Sequence, residues 1–266
     1  MKNQITKFSI VTAVRNGEEF VEQTILSVIN QDYSNFEYIL IDGKSSDNTL
    51  AIAKKYEGRF ACLLSERDEG ISDAFNKGLS FVTGDYILIL NADDRLAHQS
   101  VLADIEKLIT ENNFPVLIYG NAELVERHTD QKITDFSQVL SRDNLKLGKL
   151  IPHPCLFTHR NYFAQYGNFD LGFKLAMDYE WLLRGALKVS SFHAPYLTTR
   201  VRSGGMSAVN TNLSRSEILL ALDKNSFFET KIERLKVHSY FKFRYIMKSI
   251  VNFFGLDGLL KRIQQQ

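Results

Sequence analysis

The sequence predicts a doubly wound, Rossmann-like α/β domain over roughly the first 120 of its 266 residues. Two observations lead to this prediction. Short apolar runs rich in Ile, Val, Leu and aromatic residues alternate with segments whose apolar residues recur at helical spacing. Each apolar run is also followed by polar or acidic residues. Strict alternation of strand and helix implies right-handed crossovers and a parallel sheet with helices on both faces.

Five strands and three helices are predicted in this first part of the chain. The strands are Phe8–Val14, Phe36–Ile41, Phe60–Ser65, Tyr86–Asn91 and Val116–Tyr119. The helices are Glu18–Asn30, Thr49–Tyr56 and Ile71–Thr83.

The order of elements changes after Tyr119. Residues 120–137 have the alternating pattern of a hairpin, and helices are predicted near 138–147, 160–166 and 178–187. The chain from Asn212 onward is mostly helical in pattern and dense in aromatic residues and lysines. We therefore expect one domain over residues 1–210, made of halves at 1–120 and 121–210, and a helical segment at 211–266.

Composition and charge exclude several classes of protein. A formal net charge of +1 argues against a dedicated nucleic-acid binder, which carries a clear basic excess. The two cysteines, Cys62 and Cys155, lie far apart in apolar stretches, which argues against a disulfide framework or zinc cluster and favours a reducing cytoplasm. The apolar run at 8–14 is too short for a secretory signal, and no run approaches the ~18 residues of a spanning helix. A cytoplasmic protein is expected.

Polar side chains gather where the predicted strands end. They are Thr12 and Arg15, then Asp42, then Glu66-Arg67-Asp68, and finally Asn91-Ala92-Asp93-Asp94. In an open parallel sheet, ligands bind outside the carboxyl ends of the strands. Crowded carboxylates repel one another unless a cation lies among them, and Mg²⁺ or Mn²⁺ bridged to a diphosphate meets that need. Any one of these acids, taken singly, is equally well explained as a turn residue or helix cap.

Two common nucleotide-binding motifs are missing. The first strand is followed by Arg15-Asn16-Gly17-Glu18-Glu19, which lacks the glycines of G-x-G-x-x-G. The sequence also contains no G-x-x-x-x-G-K-[ST] phosphate loop. Binding of NAD or ATP in those two ways is therefore excluded.

Several further motifs occur in an unbroken order. They are Ser9-Ile10-Val11-Thr12-Ala13-Val14-Arg15-Asn16, Ser27-Val28-Ile29-Asn30-Gln31, Asp42-Gly43-Lys44-Ser45-Ser46-Asp47-Asn48-Thr49, Ser65-Glu66-Arg67-Asp68-Glu69-Gly70-Ile71, Asn76-Lys77-Gly78 and Gly84-Asp85-Tyr86-Ile87. This succession resembles family 2 glycosyltransferases of the GT-A fold. The resemblance runs through roughly the first 95 residues and returns at Gly167–Arg184.

The resemblance implies an inverting, metal-dependent transferase with a nucleotide-sugar donor, and UDP is the expected nucleotide. Residues 1–120 would bind the donor and residues 121–210 the acceptor. The implied donor contacts are Thr12, Ala13, Arg15, Asp42, Arg67, Asp68, Asn76, Asn91, Ala92 and Asp93, with Asp42 accepting the N–H of the base.

The segment Asn91-Ala92-Asp93-Asp94 resembles the family's D-x-D-type metal motif. Asp93 is the first candidate ligand for Mn²⁺ or Mg²⁺, and Asp94 is the second. Asn91 replaces the first acid of that motif. The family's D-D-G-S pattern is also altered, because Asp42 is followed by Gly43-Lys44-Ser45.

The candidate catalytic base is Asp178. It lies in Ala176–Arg184, which resembles the family segment whose Asp, near the start of a helix, deprotonates the acceptor hydroxyl. Glu180 is the substitute candidate, and Asp178 could also be only an acid favoured by the helix dipole. Trp181 beside it is either a platform for a sugar ring or, as we slightly favour, a core residue.

Three further residues are candidates for acceptor or diphosphate contacts. His153 lies between two prolines, which fix its presentation, although a lone histidine is as often structural. A polar, glycine-hinged loop is predicted to contain Arg200, Arg202 and Ser203-Gly204-Gly205-Met206-Ser207, and it resembles loops that close over the diphosphate in related enzymes. A plain surface loop is the alternative.

The C-terminal segment interleaves aromatic and basic residues at helical spacing over Lys236–Arg262. Such a pattern is typical of a helix lying on an anionic membrane surface, and equally of a helix packed on the domain or in a homodimer. Acceptors in related pathways, which assemble surface polysaccharide or O-antigen, are glycans or polyprenyl-diphosphate-linked sugars. Docking on the cytoplasmic face of the inner membrane would suit them.

Two other functions are compatible with a Rossmann-like fold. A sugar-phosphate nucleotidyltransferase would share the fold and the acidic metal site but should carry a glycine-rich loop after the first strand, which is absent. A non-catalytic nucleotide-sugar-binding scaffold should have lost the acids, whereas Asp42, Asp93 and Asp178 are all present.

Overall fold

The computed structural model describes residues 5–205 and 210–253. The strands are β1 (Phe8–Val14), β2 (Phe36–Asp42), β3 (Cys62–Ser65), β4 (Tyr86–Ile89), β5 (Arg95–Leu96), β6 (Leu117–Val125), β7 (Lys132–Phe136), β8 (Leu156–His159) and β9 (Ser191–Arg202). The helices are α1 (Val21–Ile29), α2 (Thr49–Lys54), α3 (Ile71–Leu79), α4 (Val101–Glu111), α5 (Arg142–Lys146), α6 (Arg160–Tyr166), α7 (Met177–Gly185), α8 (Thr211–Lys224) and α9 (Lys231–Phe253). Short 3₁₀ turns occur at Glu57–Arg59, His153–Cys155 and Ala186–Lys188.

The strands of the described residues form one mixed sheet. Their order is β3-β2-β1-β4-β8-β6-β9-β5, with β7 paired to β6. The first four strands in this order are parallel, as the alternation predicted, whereas β8 is antiparallel to both β4 and β6. The sequence boundary expected between residues 120 and 121 falls inside β6, so both expected halves contribute strands to the same sheet.

Two apolar cores cover the two faces of the sheet. Alternating residues of β1 divide between them, because successive side chains of a strand point to opposite faces. Val11 and Ala13 pack in the core beneath α3, α7, α8 and α9, whereas Phe8 and Ile10 pack in the core beneath α1 and α4. A fully buried β1 with helices on both sides confirms the predicted layering.

The strand β1 has its predicted bounds, and the hairpin over 120–137 is β6 with β7. The helix α4 and the strands β5 and β9 were not predicted. In β9, Pro195 interrupts the pattern and the inward side chains do not alternate regularly. This segment forms a strand because it pairs with β6 along most of its length. The local sequence does not reveal that pairing.

The helices α8 and α9 confirm the predicted C-terminal helical extension. One side of α9 packs on the domain through Val237 and Phe241, which are buried in the same core as α7. Residues 254–266 of the predicted segment lie outside the described residues. Among the described helices, none combines the length and the apolar character needed to cross a bilayer.

Candidate active site

The carboxyl ends of β1, β2 and β3 bring Arg15, Asp42 and Asp68 to one edge of the sheet. Asp42 ends β2 and is fully buried, and its carboxylate accepts hydrogen bonds from the Ser65 hydroxyl at 2.5 Å and the Ser45 amide at 3.2 Å. Asp68 covers the α-carbon of Gly43 so closely that an added Cβ would lie 2.1 Å from its Oδ2. The predicted grouping of these strand ends is therefore present.

Other predicted donor residues lie around this edge with different exposure. Arg15 and Arg67 are exposed, whereas Ala13 is buried. Thr12 is fully buried and its hydroxyl accepts a hydrogen bond from Tyr38 at 3.2 Å. The Thr12 hydroxyl therefore already has a partner within the chain. These arrangements leave Arg15 and Arg67 as the side chains open to an incoming ligand.

Asn76 fastens α3 to the loop before α7. Its Nδ2 donates to the Phe169 carbonyl at 2.8 Å, and its Oδ1 accepts from the Phe169 amide at 3.0 Å. Both ends of the amide are used in this way, which argues against the predicted donor contact and assigns Asn76 to holding that loop.

The turn after β4 separates the two adjacent acids. Asp94 is 2% exposed, and its carboxylate accepts from Nδ2 of Asn91 at 2.8 Å and from the Arg202 amide at 3.1 Å. Burial, followed by the nearby Asp93 charge, raises the pKa of Asp94 to about 7. This internal position argues against the predicted metal contact by Asp94. Asp93 is partly exposed and is the acid of the turn that faces solvent.

The open carboxylate of Asp93 pairs with Arg127, whose Nη1 lies 3.0 Å from Oδ2. Arg127 comes from the turn between β6 and β7 and was missed by the sequence analysis. Its guanidinium carbon lies 4.6 Å from the centre of the Phe20 ring, a cation–π contact that holds it over the site. Nothing in the local sequence marks this arginine, because the hairpin brings it to Asp93 across 34 residues.

The candidate base Asp178 lies in the first turn of α7 and is joined to the turn after β4 by His153. Nδ1 of His153 lies 2.8 Å from Oδ2 of Asp178, and Nε2 lies 3.0 Å from Oδ1 of Asn91. The other oxygen of Asp178 accepts from the Tyr179 amide at 2.8 Å. The structure therefore brings Asn91, His153 and Asp178 together, three residues that the sequence singled out separately.

The start of α7 is held in place by Glu217 of α8. Its buried carboxylate accepts hydrogen bonds from the amides of Lys174, Leu175 and Ala176 at 2.9, 2.8 and 2.9 Å. These are the residues just before the helix that carries Asp178. Glu217 was also missed, since an acid two turns into α8 has no sequence mark that points to α7.

The two neighbours of Asp178 have structural roles. Glu180 is fully buried and binds Arg184 and Lys224; although burial raises its pKa, hydrogen bonds from these cations hold it below the usual value. Glu180 is thus turned away from the site, which argues against its use as a base. Trp181 is 3% exposed, stacks on Phe163 and donates to the Gly167 carbonyl. It is therefore a core residue, which is the favoured of the two alternatives predicted for it.

Arg200 and Arg202 lie in β9 and not in a loop, which corrects the sequence prediction. Nε of Arg200 binds Glu123 at 2.8 Å. Arg202 is 6% exposed and its guanidinium binds Asp130 and Gln23. Both arginines are therefore engaged within the chain. The predicted hinge at 203–207 is described only to Gly205, and Met206 and Ser207 lie outside the described residues.

The residues present fit a metal that is shared with a substrate. Within the described ranges, no three His, Cys, Asp or Glu residues are grouped as ligands of one ion. Asp93 offers a single, partly exposed carboxylate. Mg²⁺ and similar hard cations are commonly held by one or two carboxylates together with substrate phosphates and water. Asp93 would be the protein's ligand in such an arrangement once Arg127 moves aside.

Comparison with known proteins identifies the family to which this site belongs. The Glycosyl transferase family 2 model matches residues 9–167, more than half of the chain. A PGL/p-HBAD biosynthesis glycosyltransferase of Mycobacterium bovis is 29% identical over 196 residues, which cover 73% of this chain and 72% of that protein.

Two solved structures share the fold. S. aureus TarS 1–349 in complex with UDP-GlcNAc superposes with a TM-score of 0.63 at 15% identity, covering 87% of this chain and 69% of that one. The mannosyltransferase PcManGT from Pyrobaculum calidifontis, in complex with GDP-Man and Mn²⁺, gives 0.62 at 16% identity, covering 90% and 70%. The mixed sheet with helices on both sides is thus the GT-A fold. The chain is a glycosyltransferase and belongs to glycosyl transferase family 2.

Proposed function

We propose that this glycosyltransferase is an inverting, metal-dependent enzyme that moves a sugar from a nucleotide-sugar, most simply a UDP-sugar, to a glycan or lipid-linked acceptor. One observation carries the proposal: His153 bonds both Asp178 and Asn91, so the candidate base lies one side chain away from the turn that presents Asp93. Inverting transfer needs a base and a site for the leaving diphosphate in one pocket. The complexes of TarS with UDP-GlcNAc and of PcManGT with GDP-Man support the class of donor.

The chemistry assigns one task to each acid. The acceptor oxygen attacks the anomeric carbon as the bond from that carbon to the diphosphate oxygen breaks, and the hydroxyl proton passes to the Asp178 carboxylate. Oδ1 of Asp178 accepts from the Tyr179 amide and Oδ2 contacts Nδ1 of His153, so each oxygen keeps a further lone pair for that proton. Asp93 would hold the divalent cation, which when bound stabilises negative charge on the departing diphosphate.

The outer face of α9 supports an acceptor at a membrane surface. Four large apolar side chains on this face are 44% to 70% exposed: Ile232, Leu235, Phe243 and Ile246. Their spacing of three, eight and three residues aligns them along one side of the helix. Val237 and Phe241 pack on the domain from the opposite side. The helix is therefore both packed on the domain and apolar on its free side, which combines the two predictions made for it.

Lysines border the outer face of α9 on both sides. Lys231 and Lys242 lie along one edge and Lys236 along the other, all exposed. The acid of this stretch, Glu233, points elsewhere and binds Lys146. Apolar side chains bordered by lysines suit a bilayer with anionic headgroups, in which the lysine stems extend toward the phosphates. We therefore assign the outer face of α9 to a membrane surface, in the cell the cytoplasmic face of the inner membrane.

The test of the transferase proposal is a screen of nucleotide-sugars for donor hydrolysis and transfer, with and without Mn²⁺. Asp178→Asn and Asp93→Asn should each lower kcat at least about 10²-fold while the thermal midpoint stays close to that of the parent. Asp135→Asn, at an exposed position of β7, is the matched control and should retain full turnover. Full turnover by Asp178→Asn with the true acceptor would refute the assignment of the base.

The membrane assignment is tested by flotation with vesicles of phosphatidylcholine alone or mixed with phosphatidylglycerol. The parent protein should float only with the anionic vesicles, and Leu235→Glu combined with Phe243→Glu should abolish flotation. Ile133→Glu alters an apolar residue of β7 that is 50% exposed and serves as control. Flotation that survives the double substitution, or a dimer in light scattering that the same substitution dissociates, would overturn it.

A further inference from the structure

We propose that Asn91 is a positioning residue, which fixes the catalytic carboxylate of Asp178 through His153 and is not itself a contact for the donor or the metal. The proposal rests on Asp178 being the base of the proposed reaction. It accounts for the one departure from the acidic motif that the family resemblance left unexplained.

The amide of Asn91 makes two different hydrogen bonds. Its Nδ2 donates to Oδ2 of Asp94 at 2.8 Å, which leaves Oδ1 to accept from Nε2–H of His153 at 3.0 Å. A carboxylate only accepts hydrogen bonds, so an ionised Asp at this position could bond to the buried Asp94 only while Asp94 carried a proton, and it would repel the ionised form of Asp94. An amide is the side chain of this size that can donate to one neighbour and accept from the other.

His153 transmits this anchoring to Asp178. Its ring is 18% exposed, lies between Pro152 and Pro154, and packs edge-on against Phe75 with ring centres 6.0 Å apart. With Nε2 fixed by Asn91, Nδ1 is directed at Oδ2 of Asp178 at 2.8 Å. The contact sets the rotation of the carboxylate that receives the acceptor proton.

The same contacts argue against a direct role of His153 at the diphosphate. Both ring nitrogens have partners inside the chain, so neither is left for a phosphate oxygen. Asn91 likewise uses both ends of its amide within the chain. The two residues form a link from the buried Asp94 to the half-buried base Asp178, with Asp93 left as the more accessible acid of the turn.

The experiment tests the two hydrogen bonds of His153 one at a time, with substitutions that each keep only one of them. Asparagine places its amide where Nδ1 lies and keeps a partner for Asp178, whereas glutamine reaches the position of Nε2 and keeps only the bond to Asn91. His153→Gln should lower kcat about 10²-fold and His153→Asn about 10-fold, with the KM for the donor within about threefold of the parent. Asn91→Leu should match His153→Asn, and adding it to His153→Gln should cause no further loss, because the link is already broken.

The control is His193→Asn, which removes an equivalent bond between Nε2 of His193 and Asn121, 2.8 Å in the parent, and should leave kcat unchanged. A higher donor KM with unchanged kcat in Asn91→Leu would overturn the proposal, as would effects that multiply in the double variant. If Asn91→Leu fails to fold, equal decreases in kcat in His153→Asn and His153→Gln would be enough to overturn the proposal. Absence of transfer by the parent enzyme would instead refute the proposed function.

Discussion

Nη1 of Arg127 lies 3.0 Å from Oδ2 of Asp93, so the partly exposed acid of the turn after β4 is paired with a cation of the chain. The Phe20 ring beneath the guanidinium holds this arrangement. A divalent cation that binds Asp93 must therefore displace Arg127, and the two positive charges compete for one carboxylate.

Arg127→Gln should lower the Mn²⁺ concentration that gives half-maximal transfer. A partly exposed ion pair contributes up to about 1 kcal/mol, which corresponds to a decrease of about twofold to fivefold. Titration of activity with Mn²⁺ at a saturating donor concentration measures it. Lys107→Gln, which removes a surface pair with Glu111, is the control and should not alter the requirement. An unchanged or higher requirement in Arg127→Gln would show that the two cations do not compete.

Gly43→Ala should weaken binding of the donor. A methyl group at this position would lie 2.1 Å from Oδ2 and 3.2 Å from Cγ of Asp68, so the Asp68 side chain must rotate away from the edge of the sheet. We expect the KM for the nucleotide-sugar to rise about 10-fold, because small displacements of binding groups are costly. Gly58→Ala meets no atom within 4 Å and should behave like the parent. Equal KM values for the two variants would show that the position of Asp68 does not affect donor binding.

The sheet and the site differ in how far the sequence predicts them. The strand β1 was predicted to the residue because its apolar run is continuous and buried on both faces. The strand β9 was missed, since it depends on pairing with β6, more than 60 residues earlier in the chain. Local patterns predict elements whose burial is uniform, and they miss elements that depend on distant partners.

Within the site, sequence predicted which residue types gather but not which atoms are free. It ranked Asp93 over Asp94 only from the motif, whereas the physical difference is that Asp94 points inward to Asn91 and the Arg202 amide. The contact of His153 with Asp178 spans 25 residues, and that of Arg127 with Asp93 spans 34. Such contacts follow from tertiary packing and leave no periodic mark in the sequence.

Glu217→Gln should destabilise the start of α7. Oε2 of Glu217 accepts from two amides, those of Leu175 and Ala176, and an amide nitrogen placed there would oppose two donors. Hydrogen bonds to a charged acceptor contribute about 1.5–3 kcal/mol, so the free energy of unfolding should fall by about 2 kcal/mol. Because Asp178 follows this loop, kcat should fall as well. Urea denaturation and steady-state kinetics measure both, with Glu111→Gln as the near-neutral surface control.

Glu37 should make the stability of the sheet depend on pH. Its carboxylate, on β2, accepts hydrogen bonds from Nζ of Lys7 at 2.7 Å, the Ser9 hydroxyl at 2.5 Å and the Thr83 amide at 2.6 Å. Although burial raises the pKa of Glu37, these hydrogen bonds, that of Lys7 first, lower it from 4.5 to about 2. A carboxyl whose folded pKa is lowered contributes stability above its unfolded value, and this contribution is lost as the pH falls toward the folded value.

Glu37→Gln should therefore lower the free energy of unfolding by about 2 kcal/mol at pH 7, since it replaces a charged acceptor by a neutral amide. The difference between parent and variant should shrink as the pH falls below 4.5 and disappear near pH 2. Urea denaturation of both proteins at pH 7, 4 and 3 measures this difference directly. A difference that stays constant from pH 7 to pH 3 would mean that the charge of Glu37 does not stabilise the contact between β2 and the residues before β4.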